Sequence, residues 1–193
     1  MLYRACCLLV ILAMLSCGGG GNMIVKENKI AASDTSKPNN EPLVFPYDTP
    51  EANRINTGQT TPAQLITFAK TLQGIRYKYG SINPNEGFDC SGFITYVFNH
   101  FNIAVPRTSV GFTDVHHEIP LRNAKPGDLV LFTGTDSTIR IVGHMGIFVS
   151  PPGLPLQFIH STSGKANGVT ITPLNAYYMG RYVKTVRVFR ENE

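Results

Sequence analysis

Two stretches of the chain carry apolar residues at helical spacing. The first begins at Thr61-Pro62-Ala63-Gln64, which combines an N-cap threonine, a proline at the first helical position and a capping-box glutamine. Its apolar stripe predicts a helix that runs to about Leu72. The second predicted helix runs from about Cys90 to His100, with Asp89 at its N-cap. Cys90 therefore lies in the first turn of a helix.

Five short β-like runs separated by turn residues follow the second helix, at 128–133, 144–149, 156–160, 169–172 and 182–189. Parallel strands need helical crossovers, and the sequence between these runs predicts none. The pattern therefore predicts an α+β domain in which helices cover one side of an antiparallel sheet. The glycine- and proline-rich segment from Tyr77 to Phe88 is predicted to be a loop.

The N-terminal segment has the pattern of an export signal. Arg4 precedes the apolar run Leu8–Leu15, which is too short for a confident membrane span of about 20 residues. Met14-Leu15-Ser16-Cys17 resembles the lipobox of bacterial lipoproteins, in which the cysteine is acylated. The alternative is ordinary cleavage nearby, with Cys17 a bystander. We predict a signal peptide at 1–16, a lipidated N-terminus and linker at 17–58, and a folded domain at 59–193.

Composition and charge exclude several classes of protein. The chain has 42% hydrophobic and 16% charged residues, which is typical of a globular protein. The net charge of +4 comes without a basic run, so we expect no nucleic-acid partner. Of the four cysteines, Cys6 and Cys7 would leave with the signal peptide and Cys17 would carry lipid. Cys90 then remains alone, without a disulfide partner, in an exported domain.

The setting of Cys90 is typical of a nucleophile. A helix N-terminus lowers the pKa of a cysteine, and a nucleophilic cysteine needs a base that a third group orients. Two of the five histidines suit these tasks, since His144 starts an apolar run and His160 ends one. Neighbouring antiparallel strands can bring such ends together. We therefore expect His144 as base and His160 as its orienting partner.

Four motifs carry a resemblance to a known family, and they occur in the family's order. They are Gly87-Phe88-Asp89-Cys90-Ser91-Gly92-Phe93, Pro106-Arg107-Thr108-Ser109, Lys125-Pro126-Gly127-Asp128-Leu129-Val130-Leu131-Phe132 and Gly143-His144-Met145-Gly146-Ile147. From about Pro62 to Arg190 the chain resembles the NlpC family of bacterial cell-wall cysteine peptidases, which is part of the papain-like superfamily. The resemblance implies a papain-like α+β fold with the nucleophile at a helix N-terminus.

The resemblance also implies roles for particular residues. Cys90 would be the nucleophile, His144 the base and His160 the third member of a triad. Tyr77, in Tyr77-Lys78-Tyr79-Gly80, would stabilise the oxyanion together with the Cys90 backbone N–H. Tyr79 is then a candidate for the core.

Three further residues would lie close to the cleft by the same resemblance, namely Asp89, Ser91 and Arg107. They could pair with the amine or the carboxylates of a wall peptide. Each also has a purely structural interpretation: Asp89 as a helix cap, Ser91 as a partner within the first turn, and Arg107 as a support for a loop.

The implied activity is cleavage of amide bonds in peptidoglycan stem peptides by acyl transfer, without a metal or organic cofactor. The preferred bond is D-Glu to the diamino acid. A D,D-endopeptidase that cuts cross-links and a catalytically idle wall-binding lipoprotein are alternatives. A metal hydrolase is disfavoured because the chain has no His-Glu-x-x-His or paired-cysteine motif. We expect a monomer that is exported and lipid-anchored to a membrane of the bacterial cell envelope.

Overall fold

A computed structural model of the chain describes residues 53–115 and 117–193. The predicted signal peptide 1–16, Cys17, the linker up to residue 52 and His116 lie outside the described residues. Within the predicted linker, Thr57 is buried and Ile55 packs against the main core of the domain. The boundary at residue 59 stays a prediction. No helix in the described ranges has the length and apolarity needed to cross a membrane.

Both predicted helices are present and begin where their caps were expected. Helix α1 spans Pro62–Thr71, and its Thr61 and Gln64 form the predicted capping box. Helix α2 spans Cys90–Asn99, with Asp89 as its N-cap. Short 3₁₀ segments follow at Ser109–Asp114, Leu121–Asn123 and, near the end of the chain, Arg190–Asn192.

Within the described residues, eight strands form two sheets, and the paired strands run antiparallel. Strands β1 (Ile82–Asn83) and β2 (Gly87–Phe88) pair with each other alone. The larger sheet contains β3 (Glu118–Ile119), β4 (Leu129–Thr133), β5 (Val142–Phe148), β6 (Gln157–Thr162), β7 (Gly168–Pro173) and β8 (Tyr182–Val186). Its spatial order is β3-β8-β4-β5-β6-β7.

Helices cover the sheet on both faces, whereas the sequence predicted one. Alternate strand residues point to opposite faces, so Leu129 and Leu131 pack with α1 and α2 in the main core. Val130 and Phe132 point the other way, into a second cluster. That cluster contains Tyr178 of helix α3 (Ala176–Arg181), which the sequence analysis did not predict. With six residues, α3 is too short to show a helical hydrophobic period.

Other differences concern where elements begin and end. The predicted loop from Tyr77 to Phe88 contains the β1–β2 pair. The last strand ends at Val186 rather than Phe189. His144 and His160 each lie two residues inside a strand, so the prediction that they stand at strand ends was wrong. Strand boundaries depend on tertiary pairing, which the local sequence does not contain.

Candidate active site

The thiol of Cys90 stands at the start of α2 because three residues beside it shape the turn. The Asp89 side chain accepts a hydrogen bond of 2.5 Å from the Gly92 backbone N–H and thereby caps the helix. A side chain at Gly92 would overlap the Ser81 carbonyl oxygen, so the chain can pass here only with glycine. The helix therefore begins at Cys90.

The environment of the Cys90 thiol is more apolar than its helical position suggests. The thiol is half-buried and donates a 3.8 Å hydrogen bond to the Gly143 carbonyl oxygen. Burial raises the pKa of Cys90 to about 11, and the negative charge of Asp89 raises it further. The backbone N–H groups of Ser91 and Cys90 and the charge of Arg107 lower it by less. The expectation of a lowered Cys90 pKa was therefore wrong for the resting protein, because burial outweighs the helix N-terminus.

His144, which lines the same cavity as this thiol, forms a hydrogen-bonded pair with His160. His144 Nε2 lies 2.8 Å from His160 Nδ1, and His160 Nε2 lies 2.9 Å from Thr172 Oγ1. His160 is completely buried, and His144 is 8% exposed. The three side chains form one hydrogen-bonded row across strands β5, β6 and β7.

The register of two strands explains how the histidines meet. Strands β5 and β6 pair at Ile147–Ile159 and Phe148–Phe158. The same register brings Gly146 opposite His160 and places His144 two residues further along the same face. A Cβ atom at Gly146 would lie 2.6 Å from Phe158 Cδ2 and 3.3 Å from His160 Cβ. Glycine at 146 therefore leaves the space that the Phe158 ring and the Cβ atom of His160 occupy.

Both imidazoles are held in their neutral form. Burial is the largest cause of the low pKa of His144, followed by the charges of His160 and Arg181. Burial lowers the pKa of His160 to about 3, again with a contribution from Arg181. A neutral imidazole has one nitrogen that accepts a proton and one that donates it, as a general base requires.

The Tyr77 side chain lies on the same cavity wall as Cys90. Its segment is held beside the start of α2 by backbone bonds of 3.0 Å from Lys78 N–H to the Phe88 carbonyl and from Phe88 N–H to the Arg76 carbonyl. Burial and the nearby charges of Cys90 and Asp89 raise the pKa of Tyr77, so the phenol remains a hydrogen-bond donor. Tyr79 is 88% exposed, and its assignment to the core was wrong.

The three residues predicted to contact substrate form one polar cluster. Arg107 binds both carboxylate oxygens of Asp89, at 3.2 Å and 2.9 Å, and also donates to Ser91 Oγ at 3.0 Å. Ser91 Oγ donates in turn to Asp89 Oδ1 at 3.3 Å. The structural and the substrate-binding interpretations are thus compatible, since Arg107 leaves 38% of its side chain exposed.

Two cavities meet at the thiol. One, of about 970 Å³, is lined by Cys90 and His144. The other, of about 510 Å³, is lined by Asp89, Ser91 and Arg107 together with Cys90. Tyr77, Cys90 and Gly143 line both. The arrangement is a cleft with the thiol at its centre, the histidines on one side and the Asp89–Arg107 cluster on the other.

Two residues that support this centre were not predicted from the sequence. Thr172 follows His160 in the hydrogen-bonded row, and Arg181 of α3 donates 2.8 Å bonds to the carbonyl oxygens of Thr133 and Gly134. Alternation along the predicted strand 169–172 could have placed Thr170 and Thr172 on one face. Nothing in the local sequence points to Arg181.

Comparison with known proteins identifies the family. The family model described as "NlpC/P60 family" matches residues 74–188, which is more than half of the chain. The chain belongs to the NlpC/P60 family. The resemblance inferred from the four motifs is thereby confirmed.

Curated relatives of this NlpC/P60 protein share about a third of its aligned residues. Gamma-DL-glutamyl hydrolase of Bacillus subtilis is 32% identical over 69% of this chain and 32% of its own length. The protein named "Murein DD-endopeptidase MepS/Murein LD-carboxypeptidase" of Escherichia coli is 33% identical over 60% of this chain and 57% of its own. Probable peptidoglycan endopeptidase LytE of B. subtilis is 38% identical over 65% of this chain and 34% of its own length. The match thus spans from about a third to somewhat over half of these relatives.

Solved structures confirm the fold class of the NlpC/P60 domain. A crystal structure of an NlpC/P60 family protein from Bacillus cereus superposes with a TM-score of 0.60 at 26% identity, covering 69% of this chain and 42% of that chain. NlpC2 from Trichomonas vaginalis superposes with a TM-score of 0.58 at 26% identity, covering 68% of this chain and 48% of that chain. The α+β arrangement predicted from the sequence is therefore correct.

Proposed function

We propose that this protein is a cysteine peptidase that cleaves amide bonds in peptidoglycan stem peptides, with Cys90 as nucleophile, His144 as base and His160 as the third triad member. The observation that carries the proposal is the row from His144 through His160 to Thr172. It leaves one nitrogen of His144, Nδ1, for a proton from the thiol that lines the same cavity.

The row supports only one set of tautomers for a base at Nδ1. If His144 Nδ1 is to accept a proton, its Nε2 must carry hydrogen and donate to His160 Nδ1. His160 then carries hydrogen on Nε2 and donates to Thr172 Oγ1. Two neutral groups, His160 and Thr172, thus hold the base in its reactive form without a carboxylate.

The chemistry follows from the neutral starting state. Because the Cys90 pKa is raised to about 11, the thiol is protonated at neutral pH and loses its proton to His144 during attack. Sulfur bonds to the carbonyl carbon, and the oxyanion accepts hydrogen bonds from the Tyr77 hydroxyl and the Cys90 backbone N–H. The C–N bond then breaks as His144 returns the proton to the leaving amine. Water, deprotonated by His144, releases the acyl group and restores the thiol.

For the bond that is cut, we favour D-Glu to the diamino acid. One relative is named a gamma-DL-glutamyl hydrolase, and the Asp89–Arg107 cluster offers both charges to the acyl side of a short stem peptide. The name of the E. coli relative, a murein DD-endopeptidase, supports cross-link cleavage as a second candidate.

The test is digestion of purified peptidoglycan and defined stem peptides by the full chain, with products identified by mass spectrometry. Fragments that end at D-Glu would support the first candidate, and loss of D-Ala cross-links would support the second. Cys90→Ala should abolish either product while leaving the thermal unfolding transition in place. Unchanged substrate with the wild-type protein would instead favour an idle wall-binding lipoprotein.

We also propose export and lipid anchoring through Cys17, which would keep the enzyme at a membrane of the cell envelope. Cys17→Ser should move the protein from the membrane fraction to the soluble fraction of cells that export it. Incorporation of a labelled fatty acid should be lost in the same variant. Labelling that persists in Cys17→Ser would overturn the assignment.

A further inference from the structure

Helix α3 covers one side of the histidine row with an aromatic layer. The Tyr178 ring stacks on the His144 ring, with centroids 6.3 Å apart and an interplanar angle of 25°, and it meets the His160 ring edge-on at 5.6 Å. Phe132 and Phe158 complete the layer, with ring centroids 6.0 Å and 4.6 Å from an imidazole ring. The row therefore has an aromatic rather than an aqueous environment on this side, where a nearby charge acts strongly.

Arg181, the last residue of α3, brings a positive charge to this layer. Its guanidinium carbon lies 5.9 Å from the centroid of the Tyr178 ring and 5.1 Å from that of the Tyr177 ring. Tyr178 is therefore a common neighbour of the guanidinium and of both imidazole rings. Arg181 and His144 also line one cavity. These contacts place the cation beside the histidine row.

Within the described residues, the charge of Arg181 has no acidic partner. Arg181 is 7% exposed, whereas the comparably buried Arg187 forms an ion pair of 3.0 Å with Asp128. The bonds of Arg181, each of 2.8 Å, go to two backbone carbonyl oxygens and a tyrosine hydroxyl. Buried charges are normally paired, because an unpaired one is costly to take out of water. A buried cation bonded only to neutral groups retains its effect on the groups around it.

The bonds of Arg181 also fix α3 to the strand that pairs with His144. Phe132 of β4 is the cross-strand partner of His144. Arg181 donates to the carbonyl oxygens of the next two residues, Thr133 and Gly134. Neutral N–H groups suffice for such bonds, so the bonds explain why α3 stays in place but not why the side chain carries a charge.

The other ionisable side chains near the row do not cancel this charge. The described lining of the cavity contains neither Asp nor Glu. Asp89 stands across the thiol and pairs with Arg107. Lys165, on the β6–β7 loop, is exposed, so solvent screens its charge. The other ionisable groups of the lining are the Cys90 thiol and the phenols of Tyr77, Tyr177 and Tyr178.

We propose that Arg181 is a positioning residue for the base, which holds α3 over the histidine row and keeps the row neutral through its buried charge. This inference rests on the proposed function, in which His144 takes the proton of the thiol. A fixed cation disfavours a second positive charge nearby, so His144 retains a nitrogen that can accept this proton in acidic as well as neutral solution. Burial is the largest cause of the low pKa of both histidines, and Arg181 contributes to each.

Two substitutions separate the charge of Arg181 from its hydrogen bonds. Arg181→Gln keeps N–H donors and removes the charge, whereas Arg181→Lys keeps the charge and loses the forked geometry. The measurement is NMR titration of ¹⁵N-labelled histidine in the full chain over about pH 3–8, with His160→Asn used to assign the row. We expect Arg181→Gln to raise the titration midpoints of the row by about one pH unit and Arg181→Lys to leave them in place.

Citrulline in place of Arg181, introduced by cell-free synthesis, tests the charge even if Arg181→Gln does not fold. It has nearly the shape of arginine, keeps the N–H groups that bond to the two carbonyl oxygens, and offers an oxygen to the Tyr177 hydroxyl. It should raise the midpoints as Arg181→Gln does. Arg140→Gln is the control, since Arg140 is exposed, bonds the Tyr182 carbonyl oxygen and lies outside the cavity lining. It should leave the midpoints in place.

The pH dependence of kcat/KM on a defined stem peptide gives a second readout. Its acid limb reports protonation of the base in the free enzyme. The limb should move to higher pH in Arg181→Gln by about as much as the NMR midpoints. In Arg181→Lys it should stay in place, even where the plateau falls because a bond to α3 is lost.

Unshifted midpoints in the citrulline protein would overturn the inference, as would equal shifts in Arg181→Gln and Arg181→Lys. An acid limb that stays in place while both variants lose activity would reduce Arg181 to a structural residue. Shifted midpoints together with no cleavage by the wild-type chain would contradict the proposed peptidase activity and leave the electrostatic role of Arg181 supported.

Discussion

His144 Nε2 and His160 Nδ1 stand 2.8 Å apart on adjacent strands, within a face of the sheet that α3 covers. The pair is neutral because burial holds both imidazole pKa values below their ordinary range. A neutral orienting partner fixes the tautomer of His144 through hydrogen bonding alone. It cannot stabilise an imidazolium by charge, as a carboxylate would.

Replacing His160 should therefore reduce turnover more than binding. We expect His160→Ala to lower kcat about a hundredfold with little change in KM, because His144 loses the acceptor that fixes its tautomer. His160→Asn, which keeps a hydrogen-bonding side chain, should restore part of this loss. Steady-state kinetics on a defined stem peptide measures both. A rise in KM as large as the fall in kcat, or no recovery of kcat in His160→Asn, would indicate that His160 has a structural role only.

Thr172 should have a smaller effect of the same kind. Thr172→Val removes the acceptor for His160 Nε2 at nearly constant shape, and we expect a fall in kcat of roughly tenfold, which corresponds to one hydrogen bond. Thr172→Ser keeps the hydroxyl and should retain most of the activity. Equal kinetics for Val and Ser would show that the row ends at His160.

The raised pKa of Cys90 predicts slow alkylation at neutral pH. Only the thiolate reacts, so the rate with iodoacetamide should keep increasing with pH toward about 11 instead of levelling near neutrality. Because Cys90 is the only cysteine in the described ranges, mass spectrometry of the Cys17→Ser protein can assign the label. A plateau below pH 8 would mean that His144 already holds the thiol as an ion pair.

Acid should destabilise the fold through His160. Its folded pKa of about 3 lies below the unfolded value of 6.5, so the unfolded state binds a proton first as pH falls. The contribution of His160 to the free energy of unfolding is fully present above about pH 6.5. Below that pH it falls by at most about 1.4 kcal/mol per pH unit. Urea unfolding at pH 7 and at pH 4.5 measures the loss, and His160→Asn should have a shallower dependence. An identical dependence in the variant would contradict this origin.

Gly146 should be intolerant of even a methyl group. Its Cβ would lie 2.6 Å from Phe158 and 2.9 Å from the Ile159 carbonyl oxygen, both inside the sheet. We expect Gly146→Ala to cost about 1–3 kcal/mol in the free energy of unfolding and to lower activity by displacing His160. The control is Gly180→Ala in α3, where nothing lies within 4 Å of the added atom. Similar stability for the two variants would remove the steric explanation.

The local sequence was sufficient to predict helices α1 and α2 and the types of residue in the candidate active site. The capping box at Thr61 and Gln64 and the cap at Asp89 are formed within a few residues, so their signals are local and α1 and α2 begin where predicted. The short β-like runs separated by turn residues likewise predicted the main strands, and four ordered motifs predicted the family that the comparison confirmed.

Tertiary structure decided what the local pattern does not contain. The register of β5 against β6 brought His144 to His160, and the closing strand β7 added Thr172. Burial of the thiol outweighed the helix N-terminus, which reversed the expected direction of the Cys90 pKa shift. The Asp89–Arg107 pair and the bonds from Arg181 to the Thr133 and Gly134 carbonyl oxygens join residues far apart in the chain. Hydrogen bonds within a turn can be inferred from the sequence, whereas desolvation and long-range pairing depend on which surfaces meet after folding.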